Sequence, residues 1–343
     1  MSTSPTPTNQ LGLTRQDYTG GKSTLCVGCG HEGITLQIIQ AAFELGLESH
    51  QVAKLSGIGC SSKTPAYFLK NAWGFNSVHG RAAAVCTGVA LANRSLKNLL
   101  VSGDGDSMSI GLNHFTHLIR RNVPVVYIIE DNGVYALTKG QFSATADQGS
   151  ALRWGQVNEL QPLDPCTLAM ELGCGFVARS FSGNPKQLNT LLKAAFAHPG
   201  TAVLDVISPC VTWNNHESST RSYQSAKNRE IPLHELGFIP AFHTPQVDIP
   251  AGEAQEVAFP DGSRITFRTL HDDYDPSKLT EAWRLVHESR DRGELLTGLL
   301  YYQPGKPTIH EVMKTAPTPL TQLPQSALKP GPEALQEIMD ELK

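Results

Sequence analysis

The sequence predicts an α/β protein whose mostly parallel sheet is flanked by helices and followed by a C-terminal α+β extension. Three observations predict it. An apolar run at residues 99–101 ends in Gly103-Asp104-Gly105-Asp106, a helical stretch follows, and a second apolar run, 123–129, leads into Asp131-Asn132-Gly133-Val134-Tyr135. Farther on, strand-like runs at 176–181 and 202–207 alternate with helical stretches at 164–172 and 185–197. Parallel strands need a long crossover, usually a helix laid on a sheet face, and this alternation supplies it. The polar loops also fall at the carboxyl ends of their strands, the edge of an open parallel sheet where ligands bind.

The remaining elements follow in order. Residues 1–22, polar and rich in Ser, Thr, Pro and Gly, read as a flexible arm. After Cys26-Val27-Gly28-Cys29-Gly30-His31, the positions Ile34, Ile38, Ala41, Ala42 and Leu45 share one face of a helix that Gly46 stops. Residues 51–56 read as a short strand ending in Gly57-Ile58-Gly59-Cys60-Ser61-Ser62, and 75–93 hold Asn76-Ser77-Val78-His79-Gly80-Arg81-Ala82 and a closely packed, Ala-rich helix. From about residue 214 the pattern changes. Runs at 255–259 and 264–269 flank Pro260-Asp261-Gly262-Ser263 as a hairpin. Residues 277–292 are helical with Leu279, Ala282, Trp283 and Val286 inward, a Pro-rich stretch at 315–332 is extended, and 333–342 form a short amphipathic helix. The chain therefore divides into an arm (1–22), a principal domain (23–215), an extension (216–314) and a Pro-rich tail (315–343). The last two read as architecture or partner contacts without chemistry.

Composition excludes several classes. A chain of 343 residues can bury a full core. A net charge of -4 and a pI of about 6.3 argue against a broad nucleic-acid surface. No apolar run is long enough to span a membrane, and the first 22 residues lack a secretory core, so the expected location is cytoplasmic. Seven cysteines with one Cys-x-x-Cys pair point to metal or redox chemistry rather than a disulfide framework.

The two polar loops suit a diphosphate with its cation. Magnesium takes six oxygens in octahedral array; Asp104 offers a carboxylate, Asn132 a side-chain carbonyl and Val134 a backbone carbonyl. Gly103 and Gly105 let the backbone approach phosphate, and a helix starting near Ser109 directs its positive end at the anion. Gly-Asp-Gly, 26 residues, then Asn resembles the signature of thiamine-diphosphate enzymes. It is no Walker loop, because no Gly-Lys-Ser/Thr follows.

Cys26 and Cys29 can reach one metal, and Cys60 and Cys210 each follow a predicted strand on the same sheet edge. Four thiolates hold zinc or a [4Fe–4S] cluster, and spacing does not choose between them. The chemistry favours the cluster, since electrons left on the thiamine adduct after CO₂ departs need an acceptor. Cys86, Cys166 and Cys174 lie in apolar helical surroundings and read as core thiols.

Together, CVGCGH, GIGCSS, HGRA, GDGDSMSIGLNHF, RRNVPV, DNGVYALTKGQFSAT and PCVTWNN, spanning roughly residues 22–215, resemble the beta subunit of the 2-oxoacid:ferredoxin oxidoreductases. That resemblance implies the thiamine-diphosphate-binding fold. It implies a [4Fe–4S] cluster on Cys26, Cys29, Cys60 and Cys210, and magnesium on Asp104, Asn132 and the Val134 carbonyl. It also implies a cofactor lining of Ile58, Gly59, Cys60, Ser61, His79, Gly80, Arg81, Gly103, Gly105, Asp106, Ala136 and Leu137. Val27 and Ala144 stand where the family commonly has proline, and Asp131 precedes Asn132 where many members have Asn; none of these removes a ligand.

The implied reaction is CoA-dependent oxidative decarboxylation of a 2-oxo acid, reversible, with electrons passing to ferredoxin. The implied partner is an alpha (or fused gamma-alpha) subunit, which supplies the glutamate that activates the thiamine, in an (αβ)₂ heterotetramer. Lys139, just beyond the magnesium loop, would pair with the distal carboxylate that 2-oxoglutarate has and pyruvate lacks. Exposure to solvent or phosphate binding is the alternative for Lys139, as a structural role is for His79; Arg81 and His79 would meet substrate or diphosphate. Competing readings are a pyruvate or broad-specificity enzyme, a non-redox thiamine enzyme with structural zinc, and a subunit that has lost catalysis.

Overall fold

A computed structural model describes residues 7–152, 155–214, 221–222, 230–232, 254–258, 264–268, 274–329 and 331–342. Twelve strands occur among them: β1 (Val52–Ser56), β2 (Trp73–Asn76), β3 (Lys97–Gly103), β4 (Val125–Asp131), β5 (Val134–Tyr135) and β6 (Gln141–Phe142) come first. β7 (Phe176–Phe181), β8 (Thr201–Ile207), β9 (Glu230–Pro232), β10 (Ala254–Ala258), β11 (Arg264–Arg268) and β12 (Leu295–Tyr302) follow. Eight of them form one sheet in the order β2-β1-β3-β4-β8-β7-β12-β9. β2 through β7 run parallel, while β12 lies antiparallel on β7. Strands β4, β7 and β8 are buried along their whole length, as central strands of a parallel sheet are when helices cover both faces.

The helices α1 (Gly30–Leu45), α2 (Ala82–Ala92), α3 (Leu112–Arg120), α4 (Pro165–Glu171), α5 (Pro185–Ala197) and α6 (Leu279–Asp291) divide between those faces. Ile34 and Ile38 of α1 and Leu188 and Leu191 of α5 build one core layer. Phe115 of α3, Met170 of α4 and Val286 of α6 build the other, which also contains Cys86, Cys166 and Cys174, fully buried as read from sequence. Local signals set the helix ends. Asp164 and Asn184 cap α4 and α5 by accepting from Thr167 and Gln187 N–H groups, each ahead of a proline in the first turn. Gly46 closes α1 in the left-handed region at φ 60°.

Four expectations are corrected. From residue 7 the arm is docked: Tyr18 is fully buried, its hydroxyl accepts from Asn9 Nδ2 at 2.8 Å, and the Gly20 N–H donates to the Tyr67 carbonyl at 2.7 Å. One buried aromatic ring outweighs a polar composition around it. The boundary at 215 does not separate domains, because β12 joins the principal sheet and Leu296, Leu300 and Tyr301 enter its core; an added strand covers the edge β7 would otherwise expose. The helical path after Asp104 begins at Gly105, not near Ser109, as a π-helical segment Gly105–Ile110 that Gly111 separates from α3. The tail at 315–332 carries short helical turns, Leu320–Gln322 and Gln325–Leu328.

β10 and β11 pair in antiparallel register; the expected turn at 260–263 lies outside the described residues. Among the described residues no helix is long and apolar enough to cross a membrane.

Candidate functional site

The loops leaving β1, β3 and β4 enclose one cleft at the carboxyl edge of the sheet. Ile58, Gly59, Cys60 and Ser61 form one wall, Gly103 to Asp106 the floor, and Asn132 with Val134 to Thr138 the opposite wall; His79 and His31 complete it. Adjacent parallel strands place their loops side by side at the same edge, so residues as distant in sequence as Ile58 and Thr138 converge.

Asp104 is buried, and its Oδ2 accepts from the Gly133 N–H at 3.0 Å, the Thr145 hydroxyl at 2.7 Å and the Ser143 hydroxyl. Burial raises its carboxyl pKa, and the Ser143 and Thr145 hydrogen bonds and the Arg221 charge oppose that rise. These three bonds all fall on Oδ2, so one carboxylate oxygen is held by the loop after β4. Asn132 Oδ1 accepts from the Val134 N–H at 3.0 Å, which folds the loop into an Asx turn. Asp104, Asn132 and Val134 thus meet on the cleft wall with oxygen donors only, the set a hard cation such as magnesium takes. Gly105 is required there: a Cβ on it would stand 2.5 Å from the Tyr135 ring.

Asp106 turns inward and joins the loops. Its Oδ1 accepts from the N–H groups of Ile58 (3.2 Å) and Gly80 (2.7 Å) and meets His79 Nδ1, while Oδ2 accepts from Ser102 Oγ. Gly80 therefore stands behind the cleft. Arg81 also departs from its expected place: it precedes α2 as an exposed residue whose guanidinium meets His114 Nε2, away from the cleft walls. Lys139 is exposed, at φ 77°, one position beyond the last cleft residue, Thr138.

The cysteines gather beside the same cleft. Cys26 is exposed, Cys29 and Cys60 half-buried and Cys210 buried, all as free thiols. The Cys26–Cys29 loop docks on the segment after β8: the Gly30 N–H donates to the Pro209 carbonyl at 3.3 Å, and Thr212 Oγ1 lies 3.5 Å from Cys26 Sγ. Burial pushes the Cys29 thiol up to about 12, with Glu130, Cys210 and Cys60 adding to the rise. Burial also raises Cys60, helped by Cys210 and Cys26, and raises Cys210, helped by Cys26. The four thiols are near enough to act on one another, and a bound metal is what would make them thiolates. Among the described residues no three His, Cys, Asp or Glu side chains are grouped to hold a single ion.

Several residues of the site carried no role in the sequence reading. His31 lines the cleft, 2% exposed, with Nδ1 2.6 Å from Ser208 Oγ; burial lowers its pKa to about 4. Tyr135 lies against Gly105 and donates to its carbonyl at 3.1 Å. Asn214 Nδ2 donates to the Asn132 carbonyl at 2.7 Å, and Arg221 Nη2 donates to the Thr145 carbonyl at 2.7 Å. His31 stands inside CVGCGH and Asn214 inside PCVTWNN; for Arg221 the sequence holds no signal beyond side-chain type.

Known proteins resemble this arrangement. The family description "Thiamine pyrophosphate enzyme, C-terminal TPP binding domain" matches residues 57–206. The beta subunit of 2-oxoacid:ferredoxin oxidoreductase 1 of Aeropyrum pernix is 45% identical over 194 residues, 56% of this chain and 60% of that one. The beta subunit of the same organism's enzyme 2 is 38% identical over 252 residues, 72% of this chain and 79% of that one. The chain spans under two thirds of several such curated relatives, 60 to 63% of their length. Among solved structures, a 2-oxoglutarate:ferredoxin oxidoreductase from Magnetococcus marinus, with 2-oxoglutarate, coenzyme A and succinyl-CoA bound, matches at a TM-score of 0.71. It is 31% identical and covers 88% of this chain and 89% of its own.

Proposed function

Because this chain belongs to the 2-oxoacid:ferredoxin oxidoreductase beta subunits, we propose that its cleft binds thiamine diphosphate with magnesium and its cysteine ring a [4Fe–4S] cluster. The observation that carries the reading is Cys60, which belongs to the cleft wall and to the thiol ring at once.

When bound, the thiamine would supply the electron sink for decarboxylation and the cluster a one-electron path toward ferredoxin. Asp104 Oδ1, the Asn132 amide oxygen and the Val134 carbonyl would hold the magnesium. Cys26, Cys29, Cys60 and Cys210 would hold the cluster. Ile58, Ala136 and Leu137 line the cleft with apolar side chains, which would exclude water from a cofactor bound there. Lys139 would meet the distal carboxylate of 2-oxoglutarate, giving succinyl-CoA and CO₂ with coenzyme A as co-substrate; the bound ligands of the Magnetococcus relative support that choice of acid. The activating glutamate would come from an alpha (or fused gamma-alpha) subunit in a cytoplasmic (αβ)₂ assembly.

Anaerobic purification with a co-expressed alpha subunit tests this. About four irons, matching acid-labile sulfide and one thiamine diphosphate per chain are expected. Zinc without sulfide would replace the redox reading by a structural-metal one, and absence of thiamine diphosphate would overturn the cofactor assignment.

A further inference from the structure

We propose that Arg221, outside the segments that carry the family's motifs, is a positioning residue for the cation site; the proposal rests on the reading that this cleft binds magnesium diphosphate. Asp104 and Asp131 are both buried and share one hydroxyl, Thr145 Oγ1, at 2.7 and 2.9 Å. Two carboxylates this close repel each other and need a positive charge nearby. Arg221, 8% exposed, brings one from the side away from the cleft: Nη2 stands 3.4 Å from Asp131 Oδ2 and 3.8 Å from Asp147 Oδ1 while donating to the Thr145 carbonyl.

The guanidinium thus fixes both the carboxylate beside Asn132 and the backbone of the residue whose hydroxyl holds Asp104 Oδ2. One guanidinium nitrogen, Nη2, serves both: it donates to the Thr145 carbonyl and faces the Asp131 carboxylate, on a planar, permanently charged group that is more weakly hydrated than a lysine ammonium. With Oδ2 held, Oδ1 is the atom presented to a cation. Asn214 acts from the same stretch of chain, gripping the Asn132 carbonyl, so a cation loop and the segment after Cys210 are braced as one unit.

Manganese, read by electron paramagnetic resonance as a substitute for magnesium, tests this on the holoenzyme with thiamine diphosphate present. Arg221→Met is expected to weaken manganese binding about 10–100-fold, the usual effect of removing a group that supports a metal ligand. Arg221→Lys should restore part of the affinity, with iron and sulfide content unchanged in both. Arg179→Met is the control, since it removes a second buried arginine, paired with Asp164 and Asp205, that lines no part of the cleft. If Arg221→Met fails to fold, Arg221→Lys alone must still bind manganese more weakly than the parent. Unchanged affinity in the Arg221 variants, or equal loss in Arg179→Met, overturns the proposal. Failure of the unsubstituted enzyme to bind manganese overturns instead the underlying reading of the cleft.

Discussion

The Gly80 N–H donates to Asp106 Oδ1 at 2.7 Å, and through that bond the turn before α2 is fastened to the loop after β3. The same carboxylate takes the Ile58 N–H and Ser102 Oγ, so one side chain sets the relative position of three loops that shape the cleft.

Asp106→Asn would turn an acceptor-only group into one that presents an amide donor to these N–H groups. A stability loss of about 1–3 kcal/mol is expected for the mismatched buried bonds, together with weaker thiamine diphosphate binding. Urea unfolding and cofactor titration measure the two effects.

Gly57 and Gly88 make a paired test. A Cβ on Gly57 would lie 1.9 Å from Asp106 Oδ2, whereas one on Gly88, inside α2, meets nothing within 4 Å. Gly57→Ala should disrupt the cleft and cofactor binding. Gly88→Ala should leave binding intact and add up to about 1 kcal/mol of stability from helix propensity.

Cysteine roles separate by iron content. Cys60→Ala should strip the protein of most of its iron while Cys86→Ala, in the core, leaves iron unchanged. Equal iron in the two variants would remove Cys60 from the ligand set.

Lys139→Ala should raise KM for 2-oxoglutarate far more than for pyruvate if the ammonium meets the distal carboxylate. Equal effects on the two acids would remove Lys139 from substrate selection and leave it as an exposed residue of the turn.

His198 predicts an acid-side loss of stability. Its ring packs against Phe176 and Tyr302 at centroid distances of 5.8 and 5.9 Å, Nδ1 is buried without a partner, and burial lowers its pKa to about 4. The unfolded chain binds a proton near pH 6.5 and the folded chain only near 4. Stability from this group is therefore present above 6.5 and lost as pH falls through that window, with a slope of at most about 1.4 kcal/mol per pH unit, less for partial exposure. His31, buried and lowered to about 4, acts in the same direction. Urea unfolding between pH 4 and 7 should show a shallower slope for His198→Phe than for the parent.

The cleft position of Asp104, Asn132 and Cys60 was legible because each sits in a short motif just after an apolar run that ends a strand. Gly80 and Arg81 were adjacent in a motif, yet one ties loops behind the cleft and the other faces away. Side-chain direction depends on the turn before α2, which no residue pattern specified. Strand β12 was missed because its apolar run follows a segment of different character, and a strand's membership in a sheet is settled by which edge it can cover.

By itself the sequence determined the α/β class, the strand-end loops and the types of donor they offer, because period and composition are local properties of the chain. Tertiary structure alone decided that Arg221 would stand behind Asp131 and Thr145. It also decided that Asp106 would hold three loops and that Cys60 would face cleft and thiol ring together. These depend on which strands lie side by side and on the pairing of buried charge, and both arise only when distant parts of the chain leave water together.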